Sequence, residues 1–99
     1  MMIKHKIIIQ LIQKLKLELN FSQVEIRDYW DACLLSIGLV RGNKMVYIAA
    51  KILKNRTILY DYDFEILDEE HLDNLHVIKE VRDITEEELI KAIKEYLDV

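Results

Sequence analysis

Three carboxylates recur at every second position in the stretch YDYDFEI, residues 60–66. They are Asp61, Asp63 and Glu65, and the positions between them are aromatic or aliphatic. In a β-strand this spacing places the three acids on one face, with neighbours roughly 7 Å apart. Two such carboxylates can hold a divalent cation such as Mg²⁺ with help from a substrate phosphate. The row is therefore either a metal or phosphoryl-transfer site or the ordinary polar face of a half-exposed strand.

Phosphoryl transfer also needs a cationic group close to the scissile phosphate. One nuclease arrangement places a lysine two residues after a glutamate, but no E-x-K tripeptide occurs in this chain. The only glycines are Gly38 and Gly42, which cannot form a G-x-G-x-x-G loop or a P-loop. We therefore expect neither a metal ion nor a cofactor, and we interpret the acidic row as a solvated face that can double as a recognition surface.

The histidines and the single cysteine do not form a catalytic or zinc-binding pattern. His5, His71 and His76 lack the i, i+4 spacing of a helical zinc pair. Structural zinc takes four Cys or His ligands, and Cys33 is the only cysteine. Cys33 adjoins Leu34 in an apolar stretch, so we predict a buried thiol that behaves as a small hydrophobic residue. Taken together, these absences predict that the chain is not an enzyme.

Length and composition indicate one domain spanning residues 1–99. The apolar fraction is 52%, which is enough to build a core. The first 19 residues begin basic and become apolar, as a signal peptide would. However, Gln10, Gln13 and neighbouring lysines interrupt them and no small-residue cleavage site follows. No apolar run is long enough to span a membrane. We therefore expect a cytoplasmic protein.

Periodicity predicts two N-terminal helices. Residues 3–19 have an apolar residue at every fourth position, which is typical of an amphipathic helix. Ser22 and Glu25 have the spacing of a capping box. We therefore predict a second helix from 23 to about 37, ended by Gly38.

The rest of the chain reads mainly as strands. Gly42 and Asn43 predict a hairpin turn, and the strand at 57–67 is the clearest element. Residues 45–53 fit either a strand or a helix, and we favour a strand because they are rich in β-branched residues. The remaining elements are a loop or short helical turn at 68–75, a weaker strand at 76–83, and a final helix capped by Thr85.

These elements predict an α+β fold. It has two N-terminal helices, a mostly antiparallel sheet of three to four strands, and a C-terminal helix packed on one sheet face. In such a fold Tyr60 and Tyr62 line the core. If the parity of their strand were opposite, they would be exposed aromatic anchors of an interface.

The charge is unevenly distributed. The net charge is −4, with 10 basic and 4 acidic residues in 1–60 and 4 basic and 14 acidic residues in 61–99. Two interpretations remain open at this stage. The two halves neutralise each other in the fold, or they form a dipolar surface that steers a charged partner.

We interpret the chain as a small acidic protein-binding domain whose partner is a basic protein. An inhibitor or immunity protein that neutralises a nuclease toxin fits best, because acidic side chains can stand in for phosphates in a basic cleft. The expected contact residues are Asp61, Asp63, Glu65, Asp68, Glu69, Glu70 and Asp73, with Tyr60 and Tyr62.

Two alternatives remain. One is a dimeric export chaperone or adaptor. The other is a winged-helix-like DNA-binding regulator that uses the first helix and the basic segment 41–56. The second helix would carry Glu25, Asp28 and Asp31 against Arg27 alone, and these acids would repel phosphates.

Overall fold

Within the residues that the computed structural model describes (4–28, 33–67 and 75–99), the chain forms a helix, a five-stranded antiparallel sheet and a second helix. The strands are paired in chain order, β1-β2-β3-β4-β5. The elements are α1 (Lys6–Glu18), β1 (Glu25–Arg27), β2 (Ser36–Arg41), β3 (Lys44–Ile52), β4 (Ile58–Leu67), β5 (Leu75–Ile84) and α2 (Glu86–Leu97).

Helix α1 confirms the amphipathic pattern predicted for 3–19. Ile8, Leu11 and Leu15 lie one turn apart, and their side chains are fully buried. The helix begins after His5, whose Nδ1 accepts a hydrogen bond from the backbone N–H of Ile7 at 3.1 Å. The imidazole therefore satisfies one of the free N–H groups of the first turn.

The predicted second helix, from 23 to about 37, is wrong. Residues 25–27 and 36–41 are strands β1 and β2, and they pair antiparallel with Ile26 opposite Leu39. A capping box does not form at Ser22, whose backbone N–H instead donates to Asn20 Oδ1 at 3.1 Å. The Glu25 and Arg27 side chains form an ion pair of 2.9 Å, as residues two apart on one side of a strand can.

The error arises because the helical spacing joined apolar residues of separate elements, since Ile26 lies in β1 and Ile37 in β2, and β1 is too short to show the alternation of a strand. Every residue from Ser36 to Val40 is buried, including Gly38, which lies within β2 and does not end a helix. A short unbroken apolar run fits a helix or a strand equally well by spacing. The two misassigned segments also explain why the sheet has five strands within the described residues, and not three to four.

The remaining strand predictions are confirmed. β2 and β3 form a hairpin through Gly42 and Asn43, and Gly42 has the positive φ of 61° that such turns require. The ambiguous segment 45–53 is strand β3, and 57–67 corresponds to β4. The predicted strand at 76–83 is extended by one residue at each end in β5. The predicted loop or turn at 68–75 lies almost wholly outside the described residues.

Helix α2 begins as the sequence indicates. The Thr85 hydroxyl accepts from the backbone N–H of Glu88 at 3.2 Å, and the Glu88 side chain accepts from the backbone N–H of Thr85 at 3.3 Å. This reciprocal capping box satisfies two free donors of the first turn. Leu89, Ile93 and Leu97 form the buried stripe of the helix.

Both helices contribute to a core on one face of the sheet, here called the helix-covered face. Among the described residues, neither helix contributes to the small apolar cluster of the opposite face, here called the open face. By alternation and register, the open face carries Ser36, Val40, Met45, Tyr47, Ala49, Lys51, Asp61, Asp63, Glu65 and Leu67. None of the helices in the described part of the chain is long and apolar enough to cross a membrane.

Replacing Leu15 with alanine tests the role of α1 in the core. Leu15 is fully buried, so Leu15→Ala should lower the free energy of unfolding by about 2–5 kcal/mol through lost burial and a residual cavity. Leu17→Ala on the same helix is the matched control, because the Leu17 side chain is 87% exposed and its loss should change stability by less than about 0.5 kcal/mol. Urea unfolding measures both, and equal losses would contradict this packing.

Candidate functional site on the open sheet face

The acids of β4 lie on the open face between two basic side chains. Asp61 is opposite Ala49 of β3 and Asp63 is opposite Tyr47, so the predicted alternation is preserved in the sheet. Lys51 approaches these acids from β3, and Arg82 approaches them from β5. Sequence spacing alone could not identify these two cations, because both lie on neighbouring strands.

Asp61 has a structural role. Its Oδ1 accepts a hydrogen bond from the backbone N–H of Asp83 at 2.9 Å and lies 3.0 Å from Lys51 Nζ. Asp83 has a φ of 59°, next to a register shift between β4 and β5. Such a bulge leaves a backbone group without its ladder partner. The Asp61 carboxylate supplies that partner and therefore holds the bulge in place.

Asp63 is held by Arg82, whose Nη1 lies 3.0 Å from Asp63 Oδ1. The same guanidinium is 3.9 Å from Asp61 and 3.8 Å from Glu80. Its hydrogen bond to Asp63 raises the pKa of Arg82, so this group stays protonated under ordinary conditions. The row of free carboxylates suggested by the sequence is thus a network of alternating charges in the folded protein.

Lys51 completes this network, because its Nζ also lies 2.7 Å from Asp83. Hydrogen bonds to Asp83 and then Asp61 raise the pKa of Lys51, which keeps the ammonium charged. Four carboxylates (Asp61, Asp63, Glu80 and Asp83) therefore surround two cations, and the group keeps an excess of two negative charges. We call these six residues the open-face charge network.

Glu65 differs from the other two acids of β4. The residue is only 7% exposed, and it lies opposite Met45, which belongs to the apolar cluster of the open face. Burial, reinforced by the nearby charge of Asp63, raises the pKa of Glu65. Its backbone carbonyl accepts from the Tyr96 hydroxyl at 3.0 Å. Glu65 is therefore tied to the packing between the sheet and α2.

A shallow cavity of about 180 Å³ lies beside the charge network. Tyr47, Ala49, Asp61, Tyr62, Asp63 and Arg82 line it. The Tyr47 hydroxyl donates to Ser36 Oγ at 2.9 Å, and the Ser36 hydroxyl donates to the Cys33 backbone carbonyl at 3.5 Å. In the described ranges no group of three or more His, Cys, Asp or Glu residues could hold a metal ion. The geometry therefore combines a charged surface with a shallow neighbouring cavity.

Tyr60 and Tyr62 lie on the helix-covered face, where they are 3% and 6% exposed. Burial raises the pKa of Tyr60 to about 12 and also raises the pKa of Tyr62. Next to them Phe64 stacks on Tyr96 with ring centroids 3.9 Å apart. Both tyrosines therefore belong to the core, as the parity of β4 indicated, and their side chains do not share the open face with the acids beside which they were predicted as contact residues.

Several residues singled out in the sequence lie elsewhere. Cys33 is exposed, so the predicted buried thiol is wrong. It precedes the turn into β2, and its environment differs from the helical one assumed for it. His76 is exposed on β5. The other predicted contact acids and the remaining histidine, which are Asp68, Glu69, Glu70, Asp73 and His71, lie outside the described residues.

The two oppositely charged halves of the sequence partly neutralise each other. Lys14 of α1 contacts Glu86 of α2 at 2.9 Å, and Lys51 contacts two acids of the second half. Arg41 and Lys44 donate to backbone carbonyls at the C-terminal end of α2, where the helix dipole favours cations. Much of the basic first half is therefore engaged within the fold.

Comparison with known proteins does not assign a function to these residues. The sequence matches no protein-family model, and neither a curated protein sequence nor a solved structure is significantly similar to it. The open-face charge network is therefore interpreted from its own geometry.

Removing the Asp61 carboxylate tests its role at the bulge. Asp61→Ala leaves the Asp83 N–H without its acceptor and Lys51 without one of its two partners. It should lower the free energy of unfolding by about 1–3 kcal/mol. Asp61→Asn keeps an acceptor oxygen and should cost less. Urea unfolding of both variants separates the hydrogen bond from the charge, and equal stability of Asp61→Ala and the unmodified chain would contradict the assignment.

The raised pKa of Glu65 predicts a pH-dependent stability. Its pKa in the folded state lies above the ordinary value of 4.5, so the folded state holds this proton more tightly than the unfolded state does. The Glu65 contribution to stability is therefore lost as the pH rises from about 4.5 through the folded pKa.

Glu65→Gln removes this titration. We expect the variant to match the unmodified chain at low pH and to be more stable than it at neutral pH. Urea unfolding across the acidic and neutral range measures the difference, and Glu95→Gln on the exposed side of α2 is the control. A stability difference that is constant with pH, or that favours the unmodified chain at neutral pH, would contradict burial as the cause.

Proposed function

We propose that this chain is a protein-binding domain that presents the open face of its sheet to a basic protein. The observation that carries this proposal is the open-face charge network, which has four carboxylates to two cations and is not covered by either described helix. An excess of negative charge on one surface attracts a basic partner and speeds the encounter.

The fixed geometry of the acids supports a defined partner surface. Asp61 and Asp63 are held by a bulge hydrogen bond and by Arg82, so their side chains lose little freedom when a partner binds. Carboxylates in such positions can each accept hydrogen bonds from a guanidinium or ammonium group. A cleft that normally binds the phosphates of a nucleic acid carries such groups.

We therefore propose a nuclease toxin as the partner class, with this chain acting as its inhibitor or immunity protein. The domain would occlude the active-site cleft and place carboxylates where the nuclease binds phosphates. The predicted contact acids between residues 68 and 73 follow β4 directly in the sequence, and they remain part of this proposal.

The DNA-binding alternative loses its main structural element. Its second helix, predicted from 23 to about 37, is replaced by strand β1 and by the start of β2 among the described residues. Lys14 and Lys51, which would have supported phosphate contacts, are paired with acids of the same chain. These observations favour the protein-binding proposal over DNA binding.

A tagged pull-down from the native host at moderate salt tests the proposal. We expect a basic protein to co-purify in stoichiometric amount, to be released by high salt, and to degrade nucleic acid only when this chain is absent. Capture of an acidic protein, of nucleic acid alone, or of a basic protein whose nuclease activity this chain does not change would contradict it.

Charge neutralisation then locates the contact surface. The double variant Asp63→Asn with Glu80→Gln should weaken binding to the captured protein by about tenfold or more, because close interfacial charge pairs contribute substantially to affinity. The matched control is Glu87→Gln with Glu95→Gln, which changes the net charge equally on exposed positions of α2. Equal effects of the two double variants, measured by calorimetry, would exclude the open face as the contact surface.

A further inference from the structure

Strand β5 has a sequence that is complementary to itself when it is reversed. From Ile78 to Ile84 it reads I-K-E-V-R-D-I, with Val81 at the centre. When two copies are laid antiparallel about Val81, Glu80 of each copy lies opposite Arg82 of the other, and the isoleucines lie opposite each other. Each charge therefore meets an opposite charge, and each apolar residue meets an apolar residue.

This strand is also at the edge of the sheet. It is ten residues long and pairs with β4 on one side, and no described strand pairs with its other side. Its large apolar residues Val77 and Ile78 are 47% and 58% exposed. A long edge strand with exposed apolar residues is a template for pairing with another strand.

We propose that two copies of this chain pair through β5, antiparallel and centred on Val81, to form a symmetric dimer with a continuous ten-stranded sheet. The occupant of the edge is a second copy because the charges of β5 complement those of its own reversed sequence. Such a contact is isologous, so the same residues serve both partners and the assembly closes at two copies.

For the central charges, Glu80 and Arg82, the faces of the sheet are consistent with this register. A two-fold axis normal to the sheet keeps the open faces of both copies on the same side, so residues that lie opposite each other must belong to the same face. Glu80 of β5 lies opposite Asp63 of β4 in the register, and the Arg82 side chain contacts Asp63 and Asp61. Glu80 and Arg82 therefore both lie on the open face. The two Glu80–Arg82 pairs across the dimer therefore satisfy the requirement.

Both side chains are accessible for such pairs. The Glu80 side chain is 60% exposed and the Arg82 side chain is 47% exposed. Arg82 contacts Asp63 through Nη1, whereas its Nη2 is 3.8 Å from Glu80 of the same chain. A small rotation lets Nη2 donate to Glu80 of the second copy while Nη1 remains on Asp63.

The second charge pair in the palindrome contributes less. Lys79 lies over the Phe64 ring on the helix-covered face, at 5.9 Å from its centroid. Asp83 contacts Lys51 of the open face, where the bulge directs it. Because these two residues lie on different faces, the Glu80–Arg82 pairs and the central valines provide the specificity.

The dimer should be weak. The pairing of β5 with β4 is shifted near each end of the self-complementary segment. Only its central residues, Lys79–Val81, are regularly paired with β4. Pairing along one short edge buries less surface than a standard interface, so we expect dissociation constants of tens to hundreds of micromolar. The dimer would place two open-face charge networks on the same side of one sheet.

Charge reversal on purified chain tests the register directly. Glu80→Arg alone and Arg82→Glu alone each place like charges opposite each other twice, so each should weaken self-association by about tenfold or more. An equimolar mixture of the two variants restores opposite charges at both positions and should form a heterodimer with affinity close to that of the unmodified dimer. Sedimentation equilibrium measures the affinities, and native mass spectrometry identifies the heterodimer.

Glu95→Arg on α2 is the matched control and should leave self-association unchanged. An unmodified chain that stays monomeric at several hundred micromolar, a Glu80→Arg variant that dimerises as well as the unmodified chain, or a mixture that associates no better than its components would each overturn the proposal.

Amide hydrogen exchange provides a second measurement that needs no variant. In the unmodified chain, protection of the β5 amides should rise between low and high micromolar concentration, whereas protection in β1, at the other edge of the sheet, should not change. Unchanged protection in β5 would overturn the proposal even if a variant failed to fold. No toxin or other partner is present in these experiments, so their outcome is independent of the proposed inhibitor function.

Discussion

The burial of the aromatic side of β4 is the constraint on which the rest of the structure depends. Tyr60, Tyr62 and Phe64 can pack beneath the helices only if the alternate residues point to the other face. A slip of one residue would bury Asp61 and Asp63 in an apolar core at a large desolvation cost. The stripes of α1 and α2 therefore fix the register of the sheet, and that register creates the acidic open face.

The open face then provides its own counter-ions. Lys51 and Arg82 come from the strands on either side of β4 and hold the acids in defined positions. Exposed ion pairs of this kind contribute little to stability individually. Their greater consequence is geometric, since Asp61 secures the bulge at Asp83 and the network keeps a negative excess in a fixed arrangement.

The two proposals share residues at the border between the open face and the β5 edge. Glu80 and Arg82 belong to the charge network and also form the centre of the self-complementary segment. Dimerisation through the edge would not cover the exposed 16% of the Asp61 side chain and 24% of the Asp63 side chain, and would set two acidic surfaces side by side. A basic partner with two contact regions, or two partner molecules, could bind the same side of such a dimer.

Local sequence patterns determined α1, β4, α2, the Gly42–Asn43 hairpin and the parity of the acidic row, because each depends on side chains a few residues apart. For β3 the spacing was ambiguous, and its β-branched residues favoured the strand. The segment from 23 to 37 could not be predicted in this way, since its apolar residues at helical spacing belong to separate elements and β1 is only three residues long. The misassigned environment of Cys33 follows from that same helix prediction. The ion-pair partners of Asp61 and Asp63, the burial of Glu65 and the edge position of β5 were decided by the tertiary structure. They depend on which strands become neighbours, and strand pairing brings together residues that are far apart in the chain.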